Sequence, residues 1–177
     1  MAARRQPNIL VTGTPGCGKS STCEALCEAV PELRVLNVNA LAAEKDLYAG
    51  RDEERDVLIL DDDRICDEME ELMRPGGQVV DTHALVDYMP ERWFDLVVVL
   101  RTDNTVLYDR LVKRGYGAAK VQENVQAEIF GVIADEAQEA YPDCVQLLES
   151  NTPQQLESNV ERIAQWVAQW RTDNGVA

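Results

Sequence analysis

This sequence is short of the residues that build metal clusters, disulfide frameworks and membrane spans. It has one histidine, His83, and five cysteines, at positions 17, 23, 27, 66 and 144, with no C-x-x-C pair. A structural zinc site is therefore not expected. An odd number of scattered cysteines predicts reduced thiols, as in cytosol or nucleus. Cys23 and Cys27 stand one helical turn apart, a spacing that points to packing rather than a bridge. No apolar run approaches the roughly 20 residues of a membrane span. The N-terminus lacks a signal-peptide pattern, so the expectation is a soluble chain inside the cell, with no membrane partner. Positive charge is scarce too: 17 Lys and Arg against 32 Asp and Glu, a net charge of −15. Gripping a phosphodiester backbone needs the opposite sign, so no direct nucleic-acid grip is expected. Nor is there an internal repeat, a low-complexity segment or a second domain: residues 1–177 fit one α/β domain.

Against these absences, one run dominates: Asn8 to Ser21. An apolar strand, Ile9 to Val11, leads into a glycine-rich turn and then a helical pattern that ends at Pro31. Gly13, Gly18, Lys19 and Ser20 satisfy G-x-x-x-x-G-K-S/T, the phosphate-binding P-loop. Several backbone N–H groups, from Gly13 through Gly16, Cys17 and Gly18 to Ser21, can converge on phosphate oxygens only where the chain bends without a Cβ. The helix then aims its positive end at the same anion. In such loops the lysine, here Lys19, is a point charge for the β- and γ-phosphates, and the serine, here Ser20, is a Mg²⁺ ligand.

Read in order, Met1 to Pro7 is a polar, frayed lead-in, and Arg34 to Val38 a second strand. Asn39 is expected to cap a short helix through Leu41 and Lys45. Leu47 to Asp56 reads as a polar, acidic stretch turning at Gly50, and Val57 to Leu60 as a short apolar run. A helix with Ile65, Met69, Leu72 and Met73 stops at Pro75-Gly76-Gly77. Gln78 to Asp81 is the third strand, Pro90 to Phe94 a helical turn, and Leu96 to Leu100 a buried strand. Asp103 to Arg114 is a helix, 115–120 a loop, and Val121 to Ala137 one long helix. Cys144 to Leu148 is the fifth strand, and Thr152 to Gln155 has the capping-box form before a last helix reaching Trp170. Strands and helices alternate, which predicts a parallel sheet covered on both faces.

A P-loop fold needs a further carboxylate on the metal side. Leu96 to Leu100 is followed by Arg101, whereas Gln78 to Asp81 ends on an acid, so Asp81 is the candidate. His83 lies just past that strand end, where ligands gather in open α/β sheets. It is either structural or placed to orient or deprotonate a water or acceptor group. Arg110 and Arg114, four apart on one helix face, either neutralise a triphosphate or belong to a solvated surface. The acidic runs 52–56, 61–63 and 67–71 read as a solvated face or as a docking surface for a basic protein.

Several stretches together resemble one family. They are Gly13 to Ser20, Asp81-Thr-His83, Pro90 to Phe94, Val99 to Asp103 with Leu107 to Leu111, and Arg114 to Tyr116. Glu123-Asn124, Ala127 to Ile129 and Trp166 with Trp170 fit as well. From about Asn8 to Trp170 the chain is similar to adenylate kinase isoenzyme 6, also called the coilin-interacting nuclear ATPase, whose fungal members are 40S ribosome-assembly factors. The resemblance implies a nucleoside-monophosphate-kinase fold with five parallel strands in the order 2-3-1-4-5. It implies an NMP-binding segment near 37–60 and a short lid near 113–123. Adenylate kinase and ATPase activity with Mg²⁺, cytoplasmic and nuclear residence, and late 40S maturation alongside a basic small-subunit ribosomal protein are implied too. Gly16, Gly18, Lys19, Ser20 and Ser21 match the family's ATP-contacting positions, Arg114 its lid arginine, and Asp81 with His83 its hydrolysis element.

The chain departs from ordinary adenylate kinases at Ala43, where they carry an arginine, and at Asp81-Thr-His83-Ala-Leu, where they read Asp-Gly-Phe-Pro-Arg. Each charge-assisted contact missing from a phosphoryl-transfer site costs about 10²–10³-fold in rate. AMP phosphorylation is therefore expected to be slow unless Lys45, Arg64 or Arg92 substitutes, with Asn37 also near the expected NMP segment. Two other readings stand beside the kinase: an ATP-switched assembly factor, and a P-loop kinase for another small molecule.

Overall fold

A strand without a polar face runs through the middle of the molecule: Ile9, Leu10, Val11 and Thr12 are all fully buried. The structure is a computed structural model that describes residues 4–53, 57–82 and 88–176. Along the chain come β1 (Ile9–Thr12), α1 (Lys19–Ala29), β2 (Arg34–Asn37), α2 (Val38–Lys45), β3 (Tyr48–Asp52), β4 (Val57–Leu60) and α3 (Asp62–Met73). Then follow β5 (Gln78–Asp81), a 3₁₀ turn at Glu91–Trp93, β6 (Leu96–Arg101), α4 (Asn104–Lys113), α5 (Ala118–Phe130), α6 (Val132–Ala140), β7 (Val145–Glu149) and α7 (Pro153–Asp173).

The main sheet has the spatial order β2-β5-β1-β6-β7, with every pairing parallel. Counting only its own strands, that is 2-3-1-4-5, as expected. Composition explains the placing: β1 and β6, apolar except for their last residues Thr12 and Arg101, sit inside, while β2 and β7 expose Val35 and Leu147 and form the edges. Alternation along each strand feeds two cores. Ile9, Val11, Val98 and Leu100 face α1 and α7, packing on Leu26, Ile163 and Val167. Leu10, Val80, Val97 and Val99 face the opposite layer, with Leu41, Ile65, Met69, Ala137 and the edge-on pair Phe94 and Tyr141, 5.6 Å apart.

Five local readings change. Residues 4–8 are pinned, not frayed: Arg4 Nη1 donates to the Trp93 carbonyl at 2.6 Å and to Asp95 at 3.1 Å. The stretch after Leu47 is a strand, β3, paired antiparallel with β4. Both strands are largely exposed, so neither shows the alternation that reveals a half-buried strand. The cap of α2 is Asn37, whose Oδ1 accepts from Ala40 N at 2.8 Å, so Asn39 lies inside the helix. The long helix breaks at Gly131, which sits at φ 68°, and α5 begins early, at Ala118. The apolar spacing continues across Gly131, and a helical glycine costs only about 1 kcal/mol, so spacing alone does not mark the break. Finally, Thr152 caps α7 by accepting from Gln155 N at 3.2 Å, but Gln155 Oε1 accepts from Asn151 N, one residue upstream of the expected partner. Among the described residues, no helix is long and apolar enough to cross a membrane.

Candidate active site

Strand order reverses at β1, with β5 on one side and β6 on the other, which opens a crevice at the carboxyl ends of these strands. The glycine-rich loop emerges into it. Gly13 has φ 142°, and a Cβ there would lie 2.6 Å from the Leu100 carbonyl oxygen. Gly16 has φ 96°, and its Cβ would lie 2.9 Å from Leu107 Cδ1. Both close approaches press the loop onto β6 and α4, and only glycine permits them. Gly18 starts α1 with no side-chain cap, and the first turn carries no acidic residue. The first N–H groups of α1 are thus left for an anion. Lys19 is buried, and its Nζ donates to the carbonyls of Gly13 at 2.7 Å and Thr14 at 3.1 Å, which lays the ammonium across the loop. Ser20 and Ser21 are exposed in the first turn of α1.

Register places the candidate carboxylate. Asp81 is paired with Val11 of β1 and with Asn37 of β2, so it ends its strand beside the start of the loop. Its Oδ2 accepts from Ser20 Oγ at 2.7 Å and from Asn37 Nδ2 at 3.0 Å. A hydroxyl and a carboxylate oxygen held together are the hard donors that Mg²⁺ prefers, and Mg²⁺ is commonly bound by one or two carboxylates plus substrate phosphates. Among the described residues no three His, Cys, Asp or Glu side chains gather to hold a metal by themselves. His83 lies outside the described residues. Burial pushes the Cys23 thiol well up, and the nearby Asp81 charge pushes it further, so this cysteine stays protonated beneath the site.

The arginine pair divides. Arg110 Nη1 donates to the carbonyls of Ser150 at 2.9 Å and Gly16 at 3.3 Å, and Nη2 to Asn151 at 2.9 Å. It braces the loop against the end of β7. Arg114, at the end of α4, is exposed. The three cations considered for an acceptor phosphate are held along α3. Lys45 pairs with Glu68, Arg64 Nη1 donates to the Asp46 carbonyl at 3.0 Å, and Arg92 pairs with Glu70 at 2.8 Å. Asn37 is occupied by its cap and by Asp81. A cavity of about 460 Å³ lies between Tyr88–Glu91 and the Glu136, Glu139 and Ala140 side of α6. No residue of the phosphate loop lines it, so hydrogen-bonding geometry, not cavity size, marks the candidate site.

Residues 9–131 match a family model described as an AAA domain. The adenylate kinase isoenzyme 6 homolog of Saccharomyces cerevisiae is 48% identical over 172 residues, covering 96% of this chain and 87% of that protein. Its homolog in Dictyostelium discoideum is 44% identical over 172 residues, covering 97% of each. The chain belongs to the adenylate kinase isoenzyme 6 family. In fold it also matches shikimate kinase from Bacteroides thetaiotaomicron, with a TM-score of 0.63 at 15% identity over 92% of this chain and 99% of that one. This is a kinase fold built around a P-loop.

Two residues of this family member carried no site role in the sequence, although Glu128 lies within the Ala127–Ile129 stretch of the resemblance. Ser150 is buried and donates from Oγ to the Cys17 carbonyl at 2.7 Å, while its N–H donates to the Arg101 carbonyl. Glu128 is 3% exposed and accepts from Thr14 Oγ1 at 2.5 Å, Arg101 Nε at 2.8 Å and Thr102 N at 2.9 Å. A physical signal was Arg101, a charge directly after the apolar run Leu96 to Leu100, which demands a partner.

Proposed function

We propose that this protein binds Mg·ATP at the Gly13–Ser21 loop and passes the γ-phosphoryl group to AMP, or to water when AMP is absent. The observation that carries the reading is the meeting of Ser20 Oγ with Asp81 Oδ2 at 2.7 Å, beside the loop that Lys19 crosses. The names of the similar proteins support AMP as the acceptor. Ser20 and Asp81 would hold Mg²⁺. When bound, the ion offsets charge on the phosphate oxygens. Lys19 neutralises the β- and γ-phosphates, and the α1 N–H groups orient them. Arg114, on the exposed turn after α4, approaches the triphosphate as 113–123 closes, and His83 orients the attacking water or acceptor.

Water is a strong competitor in this reading. Ala43 stands where a phosphate clamp is usual, and Lys45, Arg64 and Arg92 are already engaged along α3. The protein is further read as acting in late 40S maturation, in cytoplasm and nucleus, with a basic small-subunit ribosomal protein as partner. The −15 net charge supports a basic partner. ADP formation measured with AMP, without AMP, and with a basic ribosomal protein added separates kinase, ATPase and partner-stimulated switch. His83→Ala is expected to lower kcat with little change in ATP affinity. Absence of ADP under all three conditions refutes the reading.

A further inference from the structure

We propose that Glu128 is a positioning residue for the phosphate loop: through Thr14 it sets where the Lys19 ammonium lies. Its carboxylate is buried and touches two segments distant in sequence. Oε2 accepts from the Thr14 hydroxyl, and Oε1 from Arg101 Nε and from the Thr102 N–H at the end of β6. Thr14 is one of the two residues whose carbonyls receive Lys19 Nζ. A chain of contacts thus runs from α5 through Glu128 and Thr14 to the catalytic cation.

The break at Gly131 makes this arrangement possible. In an unbroken α-helix the Glu128 carbonyl would accept from Val132, four residues on. Here the left-handed turn lets Gly131 N donate to it at 3.1 Å, and the same oxygen accepts from Arg101 Nη2 at 2.8 Å. Arg101 passes just beneath the glycine, 3.5 Å from where a Cβ would sit. Arg101 therefore grips α5 by backbone and side chain at once, and Glu128 is held in a single orientation toward Thr14. A satisfied network of this kind rigidifies its members, whereas a half-satisfied one is costly. The network thereby ties the C-terminal end of α5 to the phosphate loop.

The proposal rests on the ATP reading only for its affinity measurement. The experiment compares wild type, Glu128→Gln, Thr14→Val and the double variant in two ways. Without nucleotide, hydrogen–deuterium exchange of the 13–19 amides is expected to quicken about tenfold in each variant, while exchange in α7 is unchanged. ATP affinity, read by displacement of a fluorescent ATP analogue, is expected to fall about tenfold in each single variant and no further in the double, because both break one chain of contacts. Loop exchange at the wild-type rate, or additive losses in affinity, overturns the proposal. If wild type binds no ATP, the nucleotide reading fails and the exchange comparison alone decides. Should Glu128→Gln fold poorly, Thr14→Val, which leaves the ion pair with Arg101 in place, carries the test.

Discussion

Lys19 is the only side-chain cation in its loop, and its place over the Gly13 and Thr14 carbonyls keeps it where phosphate oxygens would arrive. Lys19→Ala should lower ATP affinity or turnover at least tenfold, about 1.4 kcal/mol. Titration with ATP and a steady-state assay check this, and unchanged values in both would remove Lys19 from the site. The cysteines lead to a different residue-scale prediction. Burial raises the Cys27 thiol from its ordinary 9.0 to about 11. Because thiolate is the reactive form, folded Cys27 should alkylate about a hundredfold more slowly than a free thiol near neutral pH. The rate should climb about tenfold per pH unit until near 11. Between the two values the unfolded chain loses this proton first, so the Cys27 contribution to stability is present below pH 9 and fades as pH rises through 11. Iodoacetamide labelling followed by peptide mass spectrometry tests it, and labelling as fast as in denatured protein contradicts it.

Among the elements, the join at the start of β1 is held by one polar side chain. Asn8 is fully buried, and Nδ2 donates to the carbonyls of Met73 at 2.8 Å and Trp93 at 3.0 Å, while Oδ1 accepts from Gln78 N at 3.0 Å. Its backbone N–H donates to Asp95 at 2.8 Å. One amide therefore ties the end of α3, the start of β5 and the 3₁₀ turn to β1. Asn8→Ala leaves the Gln78 N–H without this partner, worth about 1–3 kcal/mol when buried and unsatisfied, and costs the Met73 and Trp93 carbonyls one bond each, although they keep Gly76 N and Arg4 Nη1 as donors. Urea unfolding should show a loss of about 2–4 kcal/mol with an unchanged m-value. A loss below about 1 kcal/mol would mean that rearrangement or water satisfies the Gln78 N–H.

For the molecule as a whole, charge is the dominant property, and part of the acidic surface is already spent internally. Asp61 caps α3, Glu68 and Glu70 pair with Lys45 and Arg92, and Glu71 pairs with Arg74. Asp63 and Asp67 on α3, and Glu53 on the β3–β4 hairpin, remain exposed, while Glu54 and Asp56 of the same acidic run lie outside the described residues. If a basic protein docks here, complementary charge chiefly speeds association, and salt screens it over about 8 Å at physiological ionic strength. Stopped-flow binding to a basic ribosomal protein should slow as salt rises, mostly in the on-rate. Charge reversal at Glu53, Asp63 and Asp67 should slow it further while basal ATP hydrolysis holds. An on-rate indifferent to both places the partner elsewhere, for which the exposed Ile129 and Phe130 at the α5–α6 break offer an apolar alternative.

What the sequence alone determined is what local rules encode. The glycines and lysine of the P-loop, the apolar strands β1 and β6, and Asp81 at a strand end are legible because backbone sterics, residue type and alternation act within a few residues. Strand order followed from resemblance, not from alternation. Only the tertiary structure decided that Asp81 meets Ser20, that Arg110 braces the loop, that Lys45, Arg64 and Arg92 are held along α3, and that Glu128 reaches Thr14. Each of these joins residues far apart in the chain, and no local preference reports such a partner. The break at Gly131 belongs with them. A glycine inside a helix costs only about 1 kcal/mol, so its presence alone does not announce an end, and the contact that accompanies the break, Arg101 Nη2 to the Glu128 carbonyl, comes from thirty residues away.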